Sequence, residues 1–188
     1  RVEMARRERW MHYAPVLWQG KPMENFSLAK LAQPGATVVQ IGAQDDLSVL
    51  AVARAIGEKG RLLVFEDRPE VYHRLRDQVL CRNLDQVECY PERISNRSSL
   101  QDHVICHTVD DIGLRRCDLL ILDIEGREFE VLQGALRTLS SYYPLVSLGR
   151  YRHEASKGVV SILETHSYQA LTHCLGTEFL LLAYPKTH

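Results

Sequence analysis

The sequence predicts an α/β domain with a mostly parallel sheet, helices on both of its faces and an antiparallel hairpin at its end. Three observations carry that expectation. Apolar runs alternate with helical patterns from residue 34 onward. The run Asp118 to Asp123 (DLLILD) is apolar almost throughout and bounded by acids, as suits a parallel strand covered on both faces. Two strand-like runs, Gln169 to Cys174 and Phe179 to Tyr184, face each other across Leu175-Gly176-Thr177-Glu178 and read as a hairpin.

The elements follow in order. Residues 1–33 read as a polar, helix-prone lead-in with Trp10, Tyr13, Val16, Leu17 and Trp18 as docking anchors, and Pro34-Gly35 breaks the chain before the main domain, 34–188. Thr37 to Ile41 is a buried-type strand. Residues 46–56 form a helix expected to be largely buried, with Leu47, Leu50 and Ala51 on one face and Val49, Val52 and Ile56 on another; Gly57 and Gly60 close it. Arg61 to Glu66 is a second strand. Asp67 and Glu70 resemble a capping box for the next helix, with Pro69 in its first turn and Val71, Tyr72, Leu75 and Val79 facing inward. Gln86 to Tyr90 is a third, weaker strand. After Asp123 a single helix is expected, with Phe129, Leu132, Leu136 and Leu139 at helical spacing and Glu128 near its start. Pro144 to Leu148 is a fifth strand, and residues 159–165 form a helix before the hairpin.

Composition excludes several function classes. The chain has 188 residues, 45% hydrophobic and 25% charged, with a formal net charge of −1. That balance points to no nucleic-acid surface and no acidic tail. Its longest apolar run, Phe179 to Tyr184, is too short to cross a bilayer. The five cysteines, Cys81, Cys89, Cys106, Cys117 and Cys174, show no CxxC spacing and read as reduced thiols of a cytoplasmic protein. Cys106-His107 lacks a second pair to complete a metal site. No signal peptide opens the chain, and because it starts at Arg1, targeting is left open and a larger parent polypeptide is an expectation.

In an open α/β sheet, ligands sit beyond the carboxyl ends of the strands. The stretch VVQIGAQDD, residues 38–46, runs a strand into a Gly42 turn. Glu66 ends the second strand 24 residues after Gly42, the position from which an acid accepts hydrogen bonds from ribose hydroxyls. A pyrophosphate would rest on the N-terminus of the first helix, where Asp45 and Asp46 stand and would repel it. Helix capping accounts equally well for either aspartate alone. NAD, FAD and ATP are therefore disfavoured, and with them a nucleotide-dependent dehydrogenase. S-adenosylmethionine carries no phosphate and presents a sulfonium and an ammonium, which suit acids. At the end of the strongest strand, Asp123 and Glu125 point to the same side if the chain stays extended. Such crowded carboxylates serve a ligand, a cation or a hydrogen-bond network.

The segment 118–136, DLLILDIEGREFEVLQGAL, resembles the FkbM-type methyltransferases: Asp123, then Glu125-Gly126, Glu128 and Leu132-Gln133-Gly134-Ala135. Gly42-Ala43, Glu66, Leu75, Asn83-Leu84 and Thr108 to Asp111 agree in order, so that the similarity runs over roughly residues 36–185. The resemblance implies the Rossmann-like class I methyltransferase fold, a seven-stranded sheet with its seventh strand antiparallel. It also implies methyl transfer from S-adenosylmethionine, usually to a hydroxyl of a sugar or secondary metabolite. The loop residues Gln40, Gly42, Ala43, Gln44 and Asp46 would hold the methionine part. Glu66 would hold the ribose, Asp67 beside it would also contact the cofactor, residues near Glu92 and Arg93 would hold the adenine, and Asp123 would sit beside the reactive methyl and the acceptor. Asp123, with Glu125, is the candidate general base; His153 is a weaker one, better read as a loop histidine. A divalent cation at Asp123, Glu125, Asp110 or Asp111 is chemically acceptable, but no spacing demands it.

This chain departs from the family pattern at Gln40, where an acid is usual, at Gln44 and Asp46 in place of Asn and Gly, and at Gly149 in place of a glutamate. These departures support an alternative reading as a catalytically weak or inactive methyltransferase-like module for binding or scaffolding. The acceptor is expected to be a small molecule or glycan, met by the lead-in and the loop around Arg150 to Lys157, where no motif names it.

Overall fold

A computed structural model describes residues 27–44, 46–101, 103–151, 156–175 and 178–186. The anchors Trp10 to Trp18, as well as Asp45 and His153, lie outside the described residues.

Seven strands form the main sheet, in the order β3-β2-β1-β7-β8-β10-β9. They are β1 (Thr37–Ile41), β2 (Arg61–Phe65), β3 (Val87–Tyr90), β7 (Leu119–Leu122), β8 (Leu145–Tyr151), β9 (Tyr168–Leu175) and β10 (Glu178–Pro185). β1, β2, β3, β7 and β8 pair in parallel. β10 runs antiparallel to both β8 and β9, as the hairpin reading requires. The apolar runs become the central strands: all four residues of β7 are fully buried, and Val38, Val39, Leu62 and Val64 are likewise at 0% exposure. Helices cover both faces, so neither face of these strands can carry a polar alternation.

On one face lie α1 (Asp46–Ile56) and α2 (Pro69–Cys81), whose Val49, Val52, Ile56, Val71, Leu75 and Val79 pack on Val38, Leu62, Val64, Leu119 and Ile121. Leu31 and Ala32, beside a 3-10 turn at Leu28–Leu31, are buried in the same layer. On the other face α3 (Glu128–Gln133), α4 (Leu136–Tyr142) and α5 (Ser156–Thr165) place Val131, Leu132, Leu139, Val159 and Leu163 on Val39, Leu63, Leu120, Leu122 and Val146.

Several sequence expectations need correction. The α1 helix buries one face only, and Leu47 in its first turn is 77% exposed. The helix expected after Asp123 is two helices, and Phe129 is 43% exposed while Leu132 and Leu139 are buried. Gly134 N–H ends α3, Gly134 O accepts from Asp110 N (2.9 Å), and the Asp110 carboxylate takes Arg137 N (2.9 Å) and Thr138 N (2.7 Å). A distant aspartate thus satisfies the open donors of the first turn of α4, which makes the break a capped start. Asp67 does not cap α2: Arg68 holds the N-cap position without a side-chain cap, and Asp67 pairs with arginines elsewhere. A small sheet that the sequence reading missed, β4 (Arg93–Ile94), β6 (Val104–His107) and β5 (Ser99–Gln101), sits between β3 and β7 in the chain.

Candidate functional site

A cleft of about 290 Å3 opens at the carboxyl ends of β1, β2 and β7, where the order of the sheet turns back on itself. Its lining is Ile41, Gly42 and Gln44 after β1; Phe65, Glu66, Asp67 and Arg68 after β2; Glu92, Arg93 and Ile94 around β4; and Asp123, Ile124, Glu125 and Arg127 after β7.

Gly42 sets the shape of the first wall. Its N–H donates to Phe65 O (2.8 Å), its φ is +83°, and an added Cβ would run into the carbonyl of Asp123. Only glycine combines that backbone conformation with that approach. The turn brings two backbone donors onto acids from other strands. Ala43 N–H donates to Glu66 Oε2 (2.9 Å) and Gln44 N–H to Asp123 Oδ2 (3.3 Å). The glycine turn therefore ties the carboxylates at the ends of β2 and β7 to one loop.

Glu66 is 3% exposed. Besides Ala43 it accepts three bonds from Arg68: the backbone N–H (2.9 Å) and Nε (2.8 Å) on Oε1, and Nη2 (2.8 Å) on Oε2. The hydrogen bond to Glu66 is the main cause that raises the Arg68 guanidinium above its ordinary pKa. Asp67 accepts from Arg93 Nε (2.6 Å) and stands 3.6 Å from Arg127 Nη2. Glu92 Oε2 lies 3.4 Å from His107 Nε2, which ties the far rim to the small sheet. Phe65 stacks on Tyr90 with centroids 5.0 Å apart, and Phe65, Ile41, Ile94 and Ile124 give the cleft an apolar share. At the β8 side, a side chain at Gly149 would reach Asp123 Oδ1 at 3.6 Å, an ordinary contact.

Of the residues expected from sequence, Gly42, Gln44, Glu66, Asp67, Glu92, Arg93, Asp123 and Glu125 come together in the lining. Three others lie outside it. Gln40 is fully buried beneath the loop, where Nε2 donates to Gly42 O (3.2 Å) and Oε1 has no hydrogen-bond partner. Ala43 is fully buried and contributes its N–H to Glu66. Asp46 turns to Arg74, whose Nε donates at 2.8 Å. Asp110 caps α4, and Asp111 accepts from Ser98 Oγ (2.7 Å), so neither lines the cleft. Among the described residues, no three His, Cys, Asp or Glu side chains gather as a metal site would require.

Sequence reasoning missed Arg68, Arg127, Ile94 and Ile124. Arg68 had a readable signal: it stands two residues past Glu66, and in extended chain such residues share a side. The lining carries five acids against three arginines, and that excess suits a cationic ligand over a phosphate. The residues thus fit S-adenosylmethionine: acids to face a sulfonium and an ammonium, apolar side chains to flank a base.

Residues 84–170 match the family model described as the methyltransferase FkbM domain. A structure of methyltransferase FkbM from Methylobacillus flagellatus KT superposes with a TM-score of 0.67 at 18% identity, over 92% of this chain and 47% of that one. The chain thus spans about half of that protein. A putative rRNA-methylase from Clostridium thermocellum gives 0.63 at 13% identity, over 84% of this chain and 90% of that one. Aeropyrum pernix fibrillarin, solved with natively bound S-adenosyl-L-methionine, gives 0.59 at 13% identity, over 80% and 67%. None of the curated proteins matches the chain in sequence. At these identities the solved structures establish the fold: the seven-stranded class I methyltransferase architecture expected from sequence is the one observed.

Proposed function

We propose, for a chain whose residues 84–170 match the FkbM methyltransferase domain, that it transfers a methyl group from S-adenosylmethionine to a hydroxyl of a sugar or secondary metabolite. The observation that carries the reading is the convergence of Glu66 and Asp123 on the Gly42 loop within one cleft. Residues 34–188 form the methyltransferase domain in this reading, and residues 1–33 are its lead-in.

The cofactor supplies a methyl carbon already activated by the adjacent sulfonium. The protein then has two tasks, placement and proton removal. Glu66 accepts from the ribose, Asp67 and the Glu92–Ile94 segment border the base, and the Gly42–Gln44 backbone lies against the methionine end. Asp123 serves as the base for the acceptor hydroxyl, with Glu125 beside it on the same stretch of chain. Gln40, buried below the loop, positions the loop and does not touch the ligand.

Two observations favour a second reading, a methyltransferase-like binding module. Gln40 supplies a neutral amide where an acid is usual, and Asp46 faces Arg74 and not the cleft. Calorimetry with S-adenosylmethionine and S-adenosylhomocysteine decides between them. Micromolar binding that is lost in Glu66→Ala supports the cofactor site, and turnover lost in Asp123→Asn with binding retained supports the enzyme. Binding without turnover on any hydroxyl acceptor supports the module. Absence of binding to folded protein overturns the cofactor reading.

A further inference from the structure

With Arg68 bound, Glu66 has no hydrogen-bonding capacity left for a ribose. A carboxylate offers about four acceptor sites, and four N–H donors fill them: Ala43 N and Arg68 Nη2 on Oε2, Arg68 N and Arg68 Nε on Oε1. Two of the four, the backbone donors, are fixed by the loop and by the start of α2. The other two belong to a side chain that is 48% exposed, whereas Glu66's own side chain is 2% exposed. The acceptor is buried and fixed, while the arm that fills it can leave for water. The charges of Asp67 and Glu70 also favour the guanidinium.

We infer that Arg68 is a displaceable arm that holds the ribose-accepting carboxylate in the free protein, and that cofactor binding exchanges its two guanidinium bonds for two ribose hydroxyl bonds. This rests on the reading of Glu66 as the ribose acceptor. The exchange makes both ribose hydroxyls necessary, because only they replace the donors that Arg68 withdraws. A ligand with both ribose hydroxyls returns two donors to the buried carboxylate as Arg68 leaves. A ligand without them would leave Glu66 buried with acceptor sites unfilled, which is costly. Arg68 therefore favours vicinal diols and lowers the affinity for all of them by the fraction of time it is closed.

The test is calorimetry with S-adenosylhomocysteine on the full chain, comparing wild type, Arg68→Ala, Arg68→Lys, Glu66→Gln and the double variant Glu66→Gln/Arg68→Ala. Arg68→Ala is expected to tighten binding on the order of tenfold if the arm is closed about nine-tenths of the time. Arg68→Lys, with a single flexible ammonium, tightens it less. In the Glu66→Gln background the Arg68→Ala gain disappears, because the arm acts only through that carboxylate. Thermal unfolding supplies a second signature: Arg68→Ala lowers the Tm of the free protein yet enlarges the rise on adding ligand. Should Arg68→Ala fold poorly, Arg68→Lys and the double variant carry the comparison. Wild-type binding that Arg68→Ala weakens or leaves unchanged overturns the inference and leaves the cofactor site standing. Failure of every variant to bind overturns both.

Discussion

Gly42 presses against the backbone of Asp123: an added Cβ would stand 2.9 Å from the Asp123 carbonyl carbon and nearer still to its oxygen. The ends of β1 and β7 are thus in contact, with no room for a side chain between them. Gly42→Ala must shift one of two strand ends and also adopt a φ of +83°. Its expected cost is about 2–4 kcal/mol of stability, from strained backbone and overpacking together. Urea unfolding measures it, and an unchanged midpoint would show that the contact is slack.

Asp110 stabilises α4 from outside that helix through Arg137 N, Thr138 N and Thr138 Oγ1. Asp110→Ala is expected to cost about 1–2 kcal/mol, as loss of a helix cap does. Because Asp110 does not line the cleft, the affinity of folded variant for S-adenosylhomocysteine should match wild type. A loss of affinity larger than the loss of stability explains would place Asp110 in the site.

The same aspartate illustrates how far the sequence could be read. β1, β2 and β7 were legible because a strand buried on both faces is almost entirely apolar, and VVQI, LLVF and LLIL leave little choice. The break between α3 and α4 was not, because Leu132, Leu136 and Leu139 keep helical spacing through it. Its cause lies with Asp110, 27 and 28 residues before the amides it caps. β4, β5 and β6 are two to four residues long and too short for a period. Within the cleft, positions after strands could be read but side-chain directions could not. Asp46 looked like a loop acid until Arg74, 28 residues on, claimed it. Asp67 looked like a cap until Arg93, 26 residues on, did the same.

The pair Arg61–Glu88 links β2 to β3 through two hydrogen bonds of 2.5 and 3.1 Å, and Tyr90 Oη donates to Glu88 Oε2 at 2.6 Å. The bond from Arg61 is the main cause that lowers the Glu88 pKa below its ordinary value. A depressed carboxylate stabilises the fold fully above its unfolded pKa, about 4.3, and loses that contribution as pH falls through the folded value. Wild type should exceed Glu88→Gln by a few tenths of a kcal/mol at pH 7, since solvent screens the pair. The gap should close below about pH 4. A gap independent of pH would assign it to packing.

Burial pushes the Cys89 thiol up to about 11, whereas Cys81 at the end of α2 is exposed. Alkylation by iodoacetamide at pH 8, followed by peptide mass spectrometry, should label Cys81 well before Cys89, because the thiolate is the reactive form. Equal rates would mean that β3 opens readily at the sheet edge.

Gly149 has an ordinary backbone conformation, and a Cβ there would meet only Asp123 Oδ1, at ordinary contact distance. The position is therefore a socket, open to substitution at little cost to the fold. Gly42 and Gly149 flank the same aspartate, yet one is locked by geometry and the other is free to vary. Change in the chemistry around Asp123, whether by drift or by design, has its easiest entry from β8.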